Sequence, residues 1–104
     1  MLVVTTDTVA NREIEQVLGL AKGNVIRAKH IGSDIIASLR NLVGGEVHEY
    51  TQLMAAAREQ ALDRMIEDAR KMGANAILGA RFTTATIAQG GAEILAFGTA
   101  VRLK

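Results

Sequence analysis

Residues 47–73 read VHEYTQLMAAAREQALDRMIEDARKMG, the most regular pattern in the chain. Within it Tyr50, Met54, Ala57, Ala61, Met65, Ala69 and Met72 recur at steps of three and four. That period places side chains on one side of an α-helix. Leu53, Leu62 and Ile66 widen the stripe on one flank. Glu46 and Glu49 stand at the positive end of the helix dipole and Arg70 and Lys71 at the negative end. Glu67 precedes Lys71 by four residues, the favourable order for an ion pair. Gly73 suits the left-handed residue that ends a helix, because it has no Cβ to clash. The spacing predicts a helix from about 47 to 72, with a buried stripe rich in alanine and methionine.

Downstream, Ala76 to Ala88 and Ala92 to Leu103 read as two strands joined through Gln89-Gly90-Gly91, a β-hairpin. Both strands are apolar on two faces over Ala76–Leu78 and Ile94–Phe97, whereas an antiparallel pair with one wet face alternates cleanly. One face is therefore expected under helices and the other under a second subunit. Upstream, Gly44-Gly45 stops a shorter helix that starts at the N-cap Gly32-Ser33-Asp34 and carries Ile35, Ile36, Leu39, Leu42 and Val43. The chain opens on a strand over Leu2–Thr6, followed by a turn over Asp7–Asn11. Arg12 to Lys29 is rich in strand formers but is interrupted by Gly19 and Gly23. Lys22-Gly23-Asn24 reads either as a hairpin turn or as a bend in one long strand, where glycine marks a bulge or a close backbone approach. Periodicity alone does not choose between the two.

The 104 residues fit a single domain, residues 1–104, and contain no proline, repeat or linker-like segment. Twelve Lys and Arg balance eleven Asp and Glu, so the chain lacks the basic excess of a nucleic-acid or anionic-membrane surface. It has no cysteine, which excludes disulfides, thiolate metal sites and cysteine nucleophiles. The start of the chain has neither the basic nor the apolar region of a signal peptide. No apolar run reaches the ~20 residues that span a bilayer. A soluble, cytoplasmic protein is the expectation. With glycine counted and Tyr50 left out, about 58% of the residues are apolar, against ~45–50% in ordinary domains. A chain this short buries only about two-thirds of its unfolded surface. Part of its apolar surface is therefore expected to meet another copy, as a homo-oligomer.

Two histidines carry the candidate chemistry. His30 stands four residues before Asp34, and His48 lies between Glu46 and Glu49. Imidazole and carboxylate together suit a divalent metal such as zinc, with further ligands from a second chain. Against this, each histidine also reads as a solvated or helix-capping side chain. The zinc-protease spacing His-Glu-x-x-His is absent. Val43-Gly44-Gly45-Glu46 precedes a helix whose free N–H groups could hold an anion, but it has no phosphate-binding lysine and reads better as a turn between helices. Thr5, Thr6 and Thr8 with Asp7, and Thr83, Thr84 and Thr86, form hydroxyl-rich patches. A threonine needs an adjacent base to become a nucleophile, and threonine is also simply a good strand residue. Arg58, Arg64 and Arg70 interleave with Glu59, Asp63, Glu67 and Asp68 as a solvated or salt-bridged face.

Several segments in fixed order resemble one family across essentially the whole chain. They are Val3-Val4-Thr5-Thr6, Val43-Gly44-Gly45-Glu46 followed by Tyr50-Thr51, Ala57-Arg58-Glu59-Gln60-Ala61-Leu62, Gly73-Ala74-Asn75-Ala76-Ile77-Leu78-Gly79 and Gly98-Thr99-Ala100-Val101. The combination is similar to the YbjQ-like family, whose label is heavy-metal binding. The resemblance implies an α+β, two-layer, dodecin-like subunit, with two helices on an antiparallel sheet in the order β-β-α-α-β-β. It also implies a homopentamer and one long bent strand over 12–29. It brings no fixed ligand motif, so the metal candidates remain His30, Asp34, Glu46, His48 and Glu49. Three functional readings follow. The first is a ring holding a metal or small ligand between subunits. The second is a ring that acts as an interaction scaffold. The third is an enzyme with an interfacial site of threonines, Asp7 and charged residues, although no nucleophile stands out.

Overall fold

The computed structural model describes residues 1–28, 48–88 and 91–104. Four strands, β1 (Leu2–Val3), β2 (Ile14–Ala28), β3 (Ala76–Ala88) and β4 (Gly91–Leu103), form one sheet in the order β1-β3-β4-β2, and one helix, α1 (His48–Lys71), packs on it. The α+β class, the long helix and the C-terminal hairpin all follow the sequence reading. The shorter helix expected over 34–43, and with it the second α of the β-β-α-α-β-β order, lies outside the described residues, as do Gln89 and Gly90 of the hairpin turn.

The helix is cut to the pattern of its sequence. Ala57, Ala61, Met65 and Ala69 are buried at 0–1% exposure and meet Ala21 and Val25 of β2, Ile94, Ala96 and Ala100 of β4, and Ile77 of β3. Alanine at these positions brings the helix axis close to the sheet, so the strand beneath must also be small. Gly23 is where this bites: an ideal Cβ there would lie 2.5 Å from the Ala61 carbonyl oxygen and 2.7 Å from the Arg64 carbonyl carbon, and against the Met65 amide nitrogen. The helix ends as a Schellman motif. Gly73 takes φ 87°, its N–H bonds the Arg70 carbonyl at 3.0 Å, and the Ala74 N–H bonds the Ala69 carbonyl at 3.1 Å. Replacing Gly73 with alanine is expected to lower stability by about 1 kcal/mol, read as a fall in the urea midpoint at unchanged slope.

β2 is one continuous strand paired with β4 from Ile14↔Leu103 to Ala28↔Gly91. The long-strand reading therefore holds, and Lys22-Gly23-Asn24 is not a turn. The bend comes from two register shifts, between Ile14 and Gln16 and between Val17 and Gly19. Gly19 adopts φ 134° at the second, as befits a bulge.

The sheet is mixed, which corrects the expectation of a purely antiparallel one. β1 pairs in parallel with β3 through Leu2↔Ala76 and Val3↔Ile77. The two segments are joined through β2 and α1, and a parallel neighbour needs such a long connection. The opening strand is also shorter than Leu2–Thr6. The segment nevertheless continues along β3, with the Val4 N–H donating to the Ile77 carbonyl (3.0 Å), Gly79 N–H to Thr6 (2.9 Å) and Ala80 N–H to Val4 (3.0 Å). The β3 register shift between Leu78 and Arg81, with Gly79 at φ 61°, interrupts the regular ladder at this point. Asp7–Asn11 turns as expected, closed by the Arg12 N–H on the Val9 carbonyl at 3.2 Å, with Asn11 at φ 64°.

The N-terminal segment also covers part of the second sheet face. Val4 and Val9 pack on Ala76, Leu78, Val101 and Leu103, all buried. That part of the face needs no second subunit, contrary to the reading of its two-sided apolar pattern. Farther along, the face is open: Ile14, Val17, Leu20 and Ile26 are 40%, 62%, 60% and 56% exposed. Their partners across the ladder (Leu103, Val101, Thr99 and Glu93) place all four on the side away from α1.

Candidate functional site

Of the five candidate metal ligands, His30, Asp34 and Glu46 lie outside the described residues. His48 and Glu49 form the first turn of α1, and the side chains of residues 48–53 likewise lie outside what is described. No group of three or more His, Cys, Asp or Glu that could hold a metal occurs among the described residues. Both histidines stand within residues 29–53, whose side chains are not among those described.

The first threonine patch does backbone work. The Thr6 hydroxyl donates to the Thr8 carbonyl at 2.7 Å, closing the turn. The Thr5 carbonyl accepts from Arg81 Nη1 at 2.9 Å, and the Thr6 carbonyl receives the Gly79 N–H. These contacts lock the N-terminal segment onto the β3 bulge, and Asp7 Oδ1 lies 3.6 Å from where a Cβ on Gly79 would stand. In the second patch, Thr83 and Thr84 are exposed on β3 and face opposite sides of the sheet.

The charged face of α1 does more than meet water. Asp68 Oδ2 accepts the Lys22 backbone N–H at 3.0 Å, and Arg64 Nη1 donates to the Asn24 carbonyl at 2.6 Å. Those groups lie on the outer edge of β2, so two helix side chains cap the strand where it would otherwise be open. Arg70 pairs with Glu67 at 2.7 Å, an exposed i,i+3 contact worth at most about 1 kcal/mol. Lys22, Asn24, Arg64, Glu67, Asp68 and Lys71 surround a cleft of about 280 Å³, floored by Gly23. Three of its charged groups, Arg64, Glu67 and Asp68, are committed to bracing helix on strand or to an ion pair. No local pattern signals this cleft, because its members are brought together only by the antiparallel run of α1 over β2.

Among the described residues, a mixed four-stranded sheet, one long helix and an exposed apolar row on β2 make up a small α+β fold. A family model described as "Putative heavy-metal-binding" matches residues 1–104. The chain belongs to this YbjQ-like family. A UPF0145 protein of Archaeoglobus fulgidus is 52% identical over 104 residues, covering 100% of this chain and 96% of the relative. One from Thermus thermophilus is 53% identical over 104 residues, covering 100% and 91%. One from Vibrio campbellii is 52% identical over 103 residues, covering 99% of each. Among solved structures, a protein of unknown function of the DUF74 family from Pediococcus pentosaceus matches with a TM-score of 0.56 at 17% identity, covering 100% of this chain and 98% of that one. This last likeness speaks for the fold alone. No helix among the described residues is long and apolar enough to cross a membrane.

Proposed function

We propose that the chain works as a cytoplasmic, ring-shaped homo-oligomer, a pentamer of dodecin-like subunits, that holds a divalent metal or small ligand between subunits. The observation that carries the assembly is the exposed row of Ile14, Val17, Leu20 and Ile26 on the sheet face away from α1, the kind of apolar patch that marks an interface.

The ligand half of the proposal draws on the family description and on His30, Asp34, Glu46, His48 and Glu49, the imidazole and carboxylate donors of residues 29–53. With no cysteine in the chain, such a site takes nitrogen and oxygen ligands and favours a borderline or hard cation. The test is metal content of untagged protein, purified without chelator and incubated with zinc, for wild type and the double variant His30→Ala, His48→Ala. Loss of stoichiometric uptake in the variant supports the assignment. Full uptake by the variant removes both histidines from the site, and no uptake by either leaves the ring as an interaction scaffold.

A further inference from the structure

Across the sheet face away from α1 runs a row of three side chains that the core does not use. Lys22, Phe97 and Arg81 are ladder neighbours on β2, β4 and β3. Ladder partners share a face, and the adjacent pairs Gly23↔Ala96 and Val25↔Ile94 lie under α1, so this row points the other way. Lys22 and Arg81 are exposed, and Phe97 is half-buried between them. Two strand spacings put the cationic residues about 10 Å apart, with the ring in the middle. Arg81 is anchored: its Nη1 donates to the Thr5 and Ala80 carbonyls, each at 2.9 Å. Both acceptors are neutral, so the guanidinium keeps its charge, and its Nε and Nη2 bond no described residue. The ion pairs among the described residues are Arg70–Glu67, Arg102–Glu15 and Lys104–Glu13, and neither Lys22 nor Arg81 enters one. Glu93, four residues along β4 from Phe97, has its carboxylate engaged by Asn24 Nδ2 at 3.3 Å. On the same face Thr83 and Thr99 add exposed hydroxyls, and Leu20, opposite Thr99, is 60% exposed.

We infer that this row binds a planar ring carrying a phosphate, a ligand of mononucleotide size. The ring lies on Phe97, and the phosphate is taken by the Lys22 ammonium or the open side of the Arg81 guanidinium. The inference rests on the small-ligand half of the ring reading and names its chemistry. Aromatic side chains stack planar rings, and a guanidinium fork and an ammonium both match phosphate oxygens. Because Arg81 is already held by two carbonyls, little side-chain freedom is lost when it takes an anion. An uncharged ring would leave both cations unmatched, and a bare anion would make no use of Phe97. A polynucleotide fits less well, since twelve cationic against eleven anionic side chains leave the chain near neutrality.

Titration calorimetry of the untagged protein with adenosine monophosphate, adenosine and inorganic phosphate tests it, with sedimentation of the same samples. The monophosphate is expected to bind at least about tenfold more tightly than either fragment, and more weakly as salt rises. Phe97→Leu keeps an apolar side chain without the ring, and Lys22→Gln keeps a polar side chain without the charge. Each is expected to weaken binding at least about fivefold. In the wild type, amide NMR shifts on saturation should centre on Lys22, Arg81, Phe97 and Thr99, which decides the matter if a variant does not fold. The proposal is overturned if the monophosphate does not bind, if phosphate alone binds as tightly, if the shifts fall elsewhere, or if folded variants bind like wild type. A short oligothymidylate that binds at least about a hundredfold more tightly than the monophosphate also overturns it, in favour of a platform for single strands. An oligomer that binds none of the probes overturns this proposal and leaves the ring standing, whereas a monomer that binds the monophosphate at these residues upholds the site and overturns the ring.

Discussion

Replacing Gly23 with alanine is expected to be among the most damaging single-methyl additions this chain can suffer, costing about 3 kcal/mol or more. Overpacking is usually relieved by a neighbouring side chain changing rotamer. Here the obstacles are the Ala61 carbonyl oxygen, the Arg64 carbonyl carbon and the Met65 amide nitrogen, all backbone. The helix can yield only by lifting off the sheet, which opens space around Ala21, Val25, Ala57 and Ala61, all buried at 0–3%. The same lift would stretch the Arg64 and Asp68 contacts to the β2 edge. A urea melt of Gly23→Ala checks this, with Gly23→Val expected to be worse. A midpoint within error of wild type would mean that the helix sits farther from the strand than described.

The second large effect is expected on assembly and not on the subunit. Val17 and Leu20 are 62% and 60% exposed on the sheet face away from α1. In an isolated subunit, Val17→Asp and Leu20→Asp would put carboxylates into water and change stability by a few tenths of a kcal/mol. In a ring that buries this row, each would desolvate a charge against apolar surface, and the oligomer should weaken at least about a hundredfold. Sedimentation velocity across a concentration series reads the shift, and circular dichroism verifies that the subunit is folded. Unchanged assembly in the double variant would place the contact elsewhere on the surface.

What was legible in the sequence follows from which interactions are local. The helix over His48–Lys71 could be read because its buried residues, Ala57, Ala61, Met65 and Ala69, repeat at its own period and Gly73 closes it. The hairpin could be read because its strands are adjacent in the chain. Lys22-Gly23-Asn24 was undecided locally. It has the composition of a turn, yet Gly23 is there because a helix some forty residues later passes over it, and nothing near it in sequence says so. The parallel pairing of Leu2 and Val3 was hidden for a similar reason, since two residues carry no periodicity and their partners lie past residue 75. The apolar character of Val101 and Leu103 was visible, but not that Val4 and Val9 would cover it. The candidate ligands were proposed from residue type and proximity. His30, Asp34 and Glu46, together with the side chains of His48 and Glu49, lie outside the described part of the chain.

Everything functional in this account depends on the chain being a subunit. Native mass spectrometry of the untagged protein, purified without chelator, addresses that claim most directly. The account predicts a single closed species of five chains, with any bound metal or ligand appearing as a discrete added mass. A monomer that persists at the highest concentrations measured would contradict it, and would mean that the exposed row from Ile14 to Ile26 is a property of the single chain.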